Sequence, residues 1–246
     1  MEAKKKGAKK LKYRRILLKL SGEVLRDKAA GECLSDAVLG EMASKIRSLR
    51  AAGAQVGIVI GGGNIFRGLK GASRGFGRAQ GDAMGMLATM INSLALQDAL
   101  DAAGVPSEVF SSTPMPGVCR PFRHRDAVEA LEEGKVAIFG GGTGNPFFTT
   151  DSAAALRAAE IRADVLVKAT KVDGIYTADP VKDPTATRFD RLTFAEALAR
   201  ELKVMDAAAF ALCRENRIPI LVLDFFRKDA ILRGIQGGKA GTTVSE

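Results

Sequence analysis

The sequence predicts an α/β fold, a mainly parallel central sheet sandwiched between helices (α/β/α). Two observations carry this. Apolar runs of strand length alternate with helix-length amphipathic stretches, which requires crossover connections and covers both faces of a sheet. Glycine-rich loops follow the ends of several of those runs, where open α/β sheets bind ligands. No internal repeat or interdomain linker interrupts the alternation, so residues 13–246 read as a single domain behind a basic, flexible tail at 1–12.

Residues 15–20 (RILLKL) read as the first strand. Residues 36–52 read as a helix, with Val38, Met42 and Ile46 spaced four apart on one face. The next strand, 55–60 (QVGIVI), ends in Gly61-Gly62-Gly63-Asn64. A long helical pattern covers 85–103; its stripe of Met86, Met90 and Leu94, beside Leu87 and Ile91, reads as core packing. A strand at 108–111, a Pro/Gly loop at 113–121 and a helix at 123–133 follow. Residues 136–139 are a short buried-type strand that runs into the glycine loop 140–146. Thr150-Asp151-Ser152 are good helix-starting residues ahead of an Ala-rich run. Residues 164–168 (DVLVK) read as a strand, and 172–184 as turns with a hairpin signal at Asp173-Gly174. Helices at 193–202 and 207–216, a strand at 220–223, a short helix near 228–234 and a terminal edge strand complete the pattern.

Composition narrows the function. With 46% hydrophobic and 26% charged residues the chain reads as soluble and globular. No apolar run approaches the ~18 residues of a membrane span, and the charged N-terminus lacks a signal-peptide core. A cytoplasmic protein without membrane contact is expected. Residues 1–15 carry +7 of the formal net charge of +9, so the basicity is mostly a tail, either solvated or an arm that contacts polyanions. Cys33, Cys119 and Cys213 show no metal-ligand spacing and read as reduced thiols. The one histidine, His124, sits in a charged stretch and reads as a surface residue, which makes zinc sites and Ser-His-Asp hydrolysis poor candidates.

The glycine loops carry the chemistry. Ser21-Gly22, Gly61-Gly62-Gly63-Asn64 and Gly140-Gly141-Gly142-Thr143-Gly144-Asn145 each follow a strand. Glycines there let backbone N–H groups approach phosphate oxygens. No G-x-x-x-x-G-K-[ST] is present, and no loop fits G-x-G-x-x-G. Lys19, Arg67, Lys168 and Lys171 lie beside those loops or strand ends. Any one of these cations alone reads as a solvent-facing side chain; together they match the positive charge that phosphoryl transfer requires. Asp82, Asp151, Asp179 and Asp206 could orient the lysines or hold Mg²⁺ through water. Asp151 could equally be a helix cap or first-turn acid. These residues point to a phosphate-handling α/β enzyme without a P-loop.

Five segments together resemble the bacterial UMP kinases of the amino-acid kinase family. They are Lys19-Leu-Ser-Gly-Glu, Ile60-Gly-Gly-Gly-Asn-Ile-Phe-Arg-Gly, Gly81-Asp-Ala-Met-Gly-Met-Leu-Ala-Thr, Thr143-Gly-Asn-Pro-Phe-Phe-Thr-Thr-Asp and Lys168-Ala-Thr-Lys-Val-Asp-Gly-Ile-Tyr-Thr-Ala-Asp-Pro. The resemblance implies the amino-acid kinase fold and transfer of the ATP γ-phosphoryl group to UMP in pyrimidine nucleotide synthesis. It implies ATP contacts at Lys19, Leu20, Ser21, Gly22, Gly63, Arg67, Thr170, Tyr176 and Asp179. It implies UMP contacts at Gly62, Asp82, Thr143, Gly144, Asn145, Pro146, Phe147, Phe148, Thr149 and Thr150. Lys19, Arg67, Asp151 and Lys168 are the implied catalytic set, with Mg²⁺ entering with ATP and no metal ligand assigned in the protein. Members are cytoplasmic homohexamers, often inhibited by UTP and activated by GTP. Residues 26–34 lack the Gly-Phe-Gly pattern at which many relatives sense GTP, which argues against carrying GTP activation over. Other readings of the residues are a family relative with a carbamate or acyl acceptor, a nucleic-acid-binding regulator and a nucleotide sensor without turnover.

Overall fold

The computed structural model describes residues 10–27, 30–66, 75–180, 182–202 and 204–246. Strands β1 (Arg15–Leu20), β2 (Gln55–Ile60), β3 (Ser107–Ser111), β4 (Arg120–Pro121), β5 (Val136–Gly140), β6 (Val165–Thr170), β7 (Arg191–Thr193), β8 (Ile220–Asp224) and β9 (Gly241–Ser245) form one sheet. Its order is β4-β3-β5-β2-β1-β6-β8-β9-β7. Every neighbouring pair is parallel except β8 and β9. The helices are α1 (Asp36–Ala51), α2 (Arg78–Ala102), α3 (His124–Glu132), α4 (Thr150–Glu160), α5 (Phe194–Ala199), α6 (Ala207–Glu215) and α7 (Ala230–Ile235).

Strand pleating divides the core into two layers. Ile16, Leu18 and Leu20 of β1, Val56, Ile58 and Ile60 of β2, and Val165 and Val167 of β6 pack with α1, α2 and α7. Leu17, Val59 and Leu166 face the other way, onto α3, α4, α5 and α6. Helix α4 meets the sheet through Ala153, Ala154, Ala155 and Ala158, all buried, and these small side chains let its backbone lie close to the strands. Lys19 and Lys168 have the parity of Leu17 and Leu166, so both point to the α4 side.

The alternating pattern is borne out, with corrections. Helix α2 begins at Arg78, seven residues before the expected start, because Gly81 and Gly85 masked two turns that the Arg78–Asp82 ion pair of 2.8 Å helps to hold. Its expected core stripe is only partly buried: Met90 is in the core and Leu94 packs against it, but Leu87 and Ile91 are half-exposed. Asp173-Gly174 is not a hairpin turn. Antiparallel pairing instead joins Tyr176 to Arg188, and a Cβ on Gly174 would lie 2.5 Å from Thr242 Oγ1. The C-terminal strand β9 lies between β8 and β7, so the edge is β7, which the sequence pattern did not reveal. The start of the basic tail, residues 1–9, lies outside the described residues; at its end, Lys12 N–H donates to Ile235 O at 2.9 Å.

Candidate active site

The sheet changes direction at β1. From β2 the chain passes out to β3 and the edge strand β4, returns to β5 beside β2, and then crosses to β6 on the other side of β1. Ligands in open α/β sheets collect at such a point, outside the carboxyl ends of the strands. Lys19 and Lys168 are register partners there on adjacent strands. Asp151, in the first turn of α4, stands between them: its Oδ1 is 2.7 Å from Lys19 Nζ and its Oδ2 2.8 Å from Lys168 Nζ. The Lys168 contact is a formed hydrogen bond, whereas the Lys19 contact has ion-pair distance without hydrogen-bond angles. Lys168 also donates to Val204 O at 2.7 Å. All three side chains are less than one-fifth exposed.

Burial pushes the Asp151 carboxyl upward, but Lys19 and Lys168 together outweigh it and hold the group below the usual carboxylate range. Burial pushes the Lys168 ammonium down, and the pull of Asp151 only partly offsets that burial and the repulsion from Lys19. The cluster is therefore two cations sharing one anion, with positive charge left for an incoming phosphate. Thr149 is the N-cap of α4, accepting from the Asp151 and Ser152 N–H groups. Asp206, the N-cap of α6, accepts from the Thr149 hydroxyl, from Ser152 Oγ at 3.0 Å and from Ala209 N–H at 2.8 Å. Asp206 thus ties the starts of two helices together beside Lys168.

The glycine loops converge on this cluster. A Cβ at Gly22 would sit 2.1 Å from Gly61 O, so the first two loops touch backbone to backbone. A Cβ at Gly62 would lie 2.8 Å from Gly85 O of α2. The third loop is held by Thr89, whose Oγ1 accepts from Gly141 N–H at 2.9 Å, and by Ser112, which donates to Gly142 O at 2.7 Å. Asp82 accepts from Phe147 N–H at 2.8 Å, and Phe147 adopts a left-handed φ of 74°. A cleft of about 500 Å³ opens between these loops and α2, lined by Gly62, Gly63, Asp82, Thr143, Phe148, Thr149 and Thr150, with Arg78 and Met86 on its α2 side. Gly144, Asn145, Pro146 and Phe147 lie at its rim in the same loop, outside the lining.

On the other side, Leu20 ends β1, and Ser21 and Gly22 begin a 3₁₀ turn (Gly22–Val24). A second cleft of about 520 Å³ lies between that turn, Lys171 and Phe226. Thr170, Tyr176 and Asp179 line neither cleft. Thr170 Oγ1 donates to Val172 O, and Tyr176 OH donates to Asp173 Oδ1, which raises the phenol above its ordinary value. Asp179 O accepts from Lys182 and Asp183 N–H in an exposed turn. Arg67 lies outside the described residues. A larger cleft, about 650 Å³, lies between Lys12, Arg191 and Lys239, away from the lysine cluster and the strand-end loops. Among the described residues no three His, Cys, Asp or Glu side chains are grouped to hold a metal ion, and no helix is long and apolar enough to cross a membrane.

Sequence reasoning did not single out Thr89, Asn92 or Ser112. Thr89 and Asn92 lie in the apolar run Met86-Leu-Ala-Thr-Met-Ile-Asn, and polar residues on the buried face of such a helix were the available signal.

The amino acid kinase family model matches residues 14–224, the span that contains both lysines, Asp151 and all three glycine loops. The chain belongs to the amino acid kinase family. This family member is 56% identical to the uridylate kinase of Brucella abortus biovar 1 (strain 9-941), covering 95% of this chain and 97% of the relative. It is 51% identical to the uridylate kinase of Escherichia coli O1:K1 / APEC over the same shares. The crystal structure of UMP kinase from Bacillus anthracis superposes with a TM-score of 0.92 at 36% identity, covering 95% of this chain and 96% of that one. UMP kinase from Ureaplasma parvum gives 0.90 at 37% identity, covering 95% and 99%.

Proposed function

We propose that this amino acid kinase family member is a UMP kinase, converting UMP and ATP to UDP and ADP. The observation that carries the reading is the buried Lys19–Asp151–Lys168 cluster at the sheet switch point, beside a cleft lined by Gly62, Gly63 and Gly142. UMP occupies the cleft of Gly62, Asp82 and the Thr143, Gly144, Asn145, Pro146, Phe147, Phe148, Thr149 and Thr150 loop, with Asp82 at the ribose. ATP lies across Leu20, Ser21, Gly22 and Gly63 and extends toward Thr170, Tyr176 and Asp179. A UMP phosphate oxygen forms a bond to the γ-phosphorus as the bond to the β-bridging oxygen breaks, and ADP leaves with that electron pair. The attacking oxygen is already ionised near neutral pH, so no general base is needed. Alignment and charge neutralisation by Lys19, Lys168 and Arg67 supply the rate.

Mg²⁺ supplies further charge neutralisation on the ATP phosphates. Asp151 is committed to two lysines and Asp206 to two helix starts. That donor set fits an ion carried by phosphates and water, with these carboxylates at second remove. A homohexamer follows the same reading, and the half-exposed Leu87 and Ile91 on α2 offer an apolar surface for contact between copies. Cytoplasmic location and UTP inhibition follow the same reading; GTP activation does not, given residues 26–34, and the tail is left as a polyanion contact.

Backbone and amide groups of the 143–150 loop select uracil, because a buried polar edge rejects a base with the wrong hydrogen-bond pattern. A coupled ADP-release assay with UMP, CMP and AMP tests the proposal. Turnover with UMP far above the other two is expected, and equal rates or none would refute it.

A further inference from the structure

The glycine loop after β2, which lines the Asp82 cleft, is held by a side-chain device the reaction itself does not use. Asn64 is 5% exposed and Asn92 fully buried, and their amides pair reciprocally. Asn92 Nδ2 donates to Asn64 Oδ1 at 2.8 Å, and Asn64 Nδ2 donates to Asn92 Oδ1 at 3.0 Å. Each amide then spends its second N–H on a carbonyl: Asn92 on Gly61 O at 2.7 Å, Asn64 on Cys33 O at 2.8 Å. All four donors are used, and turning either amide over would set N–H against N–H and oxygen against oxygen. Three segments distant in sequence are joined: the loop after β2, the segment before α1, and the middle of α2. Gly22 closes against the same pair, since a Cβ there would fall 2.5 Å from Asn64 Oδ1.

The loop needs such a tie. Gly61, Gly62 and Gly63 have no side chains to anchor them. Gly62 O accepts from Ile65 and Phe66 N–H, while the N–H groups of Gly62 and Gly63 take no hydrogen-bond partner among the described residues, and both residues line the cleft. Gly62 is buried, and buried backbone donors are nearly always satisfied; Gly63 is half-buried on the cleft wall, so both N–H groups are open to a ligand or water. The Gly62 N–H shares the Gly61 peptide, whose carbonyl Asn92 grips; the Gly63 N–H shares the Gly62 peptide, whose carbonyl accepts from Ile65 and Phe66 N–H.

We propose that Asn92 is a positioning residue: paired with Asn64, it aims the Gly62 N–H group at the phosphoryl group in transit. The inference rests on the UMP kinase reading. Substrates still enter their own clefts when the pair is broken, but the two phosphates lose alignment, so kcat and not KM carries the effect.

Asn92→Asp keeps the shape, removes both donors and sets an oxygen against Gly61 O. Asn92→Leu removes the Asn92 amide, releases Gly61 O and leaves Asn64 without its partner, and serves if the first variant does not fold. At a temperature well below the melting point of each variant, kcat is expected to fall about 10- to 100-fold, with the KM for UMP and for ATP each within about threefold. Hydrogen exchange of the peptide spanning residues 61–66 is expected to quicken relative to the rest of the chain. A folded variant with wild-type kcat, or one whose loss lies in KM, overturns the inference. Wild-type protein that does not phosphorylate UMP overturns the function reading instead.

Discussion

Replacing Asp151 by Asn is the most informative single change. The substitution keeps the shape and removes one negative charge from between two ammonium groups 2.7 and 2.8 Å away. Removing one member of a buried ion pair costs about 3–5 kcal/mol when the survivors stay charged. Here Lys168 has a way out. Burial already pushes it down, and Asp151 is the first of the groups that hold its proton. Without Asp151 the Lys168 pKa falls further and the ammonium is easier to neutralise, so the stability loss is expected toward the lower end of that range. The rate bears the rest, because a neutral Lys168 no longer stabilises charge on the phosphoryl oxygens; a loss of about 10²–10³ in kcat is expected. The sign of the pH dependence follows. Lowering the pH favours the protonated Lys168, so the ratio of variant to wild-type kcat should rise as the pH falls. Coupled ADP release across a pH series, with calorimetry to verify folding, reads both quantities. A variant that keeps turnover within about threefold of wild type, with a flat ratio, would refute the shared-anion account.

Three further outcomes are expected. Lys19→Met should lose about 10²–10³ in kcat while still binding UMP, measured by steady-state kinetics and isothermal titration; near-normal turnover would contradict a role for Lys19 at the transferred phosphoryl. Gly22→Ala drives a methyl to 2.1 Å from Gly61 O, where backbone must yield, so denaturant melts should show a loss of at least about 1–3 kcal/mol, and an unchanged midpoint would count against the packed loops. Burial, with Asp151 and Asp206 nearby, pushes the Cys213 thiol up to about 12, so alkylation near pH 8 followed by mass spectrometry should mark exposed Cys33 first and reach Cys213 only on unfolding.

The fold was legible where local chemistry and tertiary environment agree. Residues 15–20 and 55–60 are strands by composition and lie where the sheet buries both faces. It was illegible where glycine does two jobs. Gly81 and Gly85 look like loop residues, yet both stand inside α2, and the close approach there requires the glycine at 62, whose Cβ would lie 2.8 Å from Gly85 O. Asp173-Gly174 has turn chemistry, but Gly174 serves a close approach to Thr242. The short edge strand β7 has little sequence signal because pairing with β9 makes it a strand.

The candidate site divides along the same line. Residue types at the strand ends marked Lys19, Lys168 and Asp151, but a linear sequence does not show that one carboxylate reaches both lysines. Asp151 proves to be a first-turn helix acid and the lysine bridge at once, while the cap itself is Thr149. The supports were harder to see: Asn92, Thr89 and Ser112 act through partners 28 to 52 residues away.

A crystal structure with UMP and a non-hydrolysable ATP analogue bound together tests the central claim most directly. The account predicts the two phosphate chains meeting end to end over Lys19 and Lys168, with uracil against the 143–150 loop and adenine beyond Thr170. Nucleotides bound in clefts whose phosphates point apart, with the lysine pair still closed on Asp151 and touching neither, would contradict it.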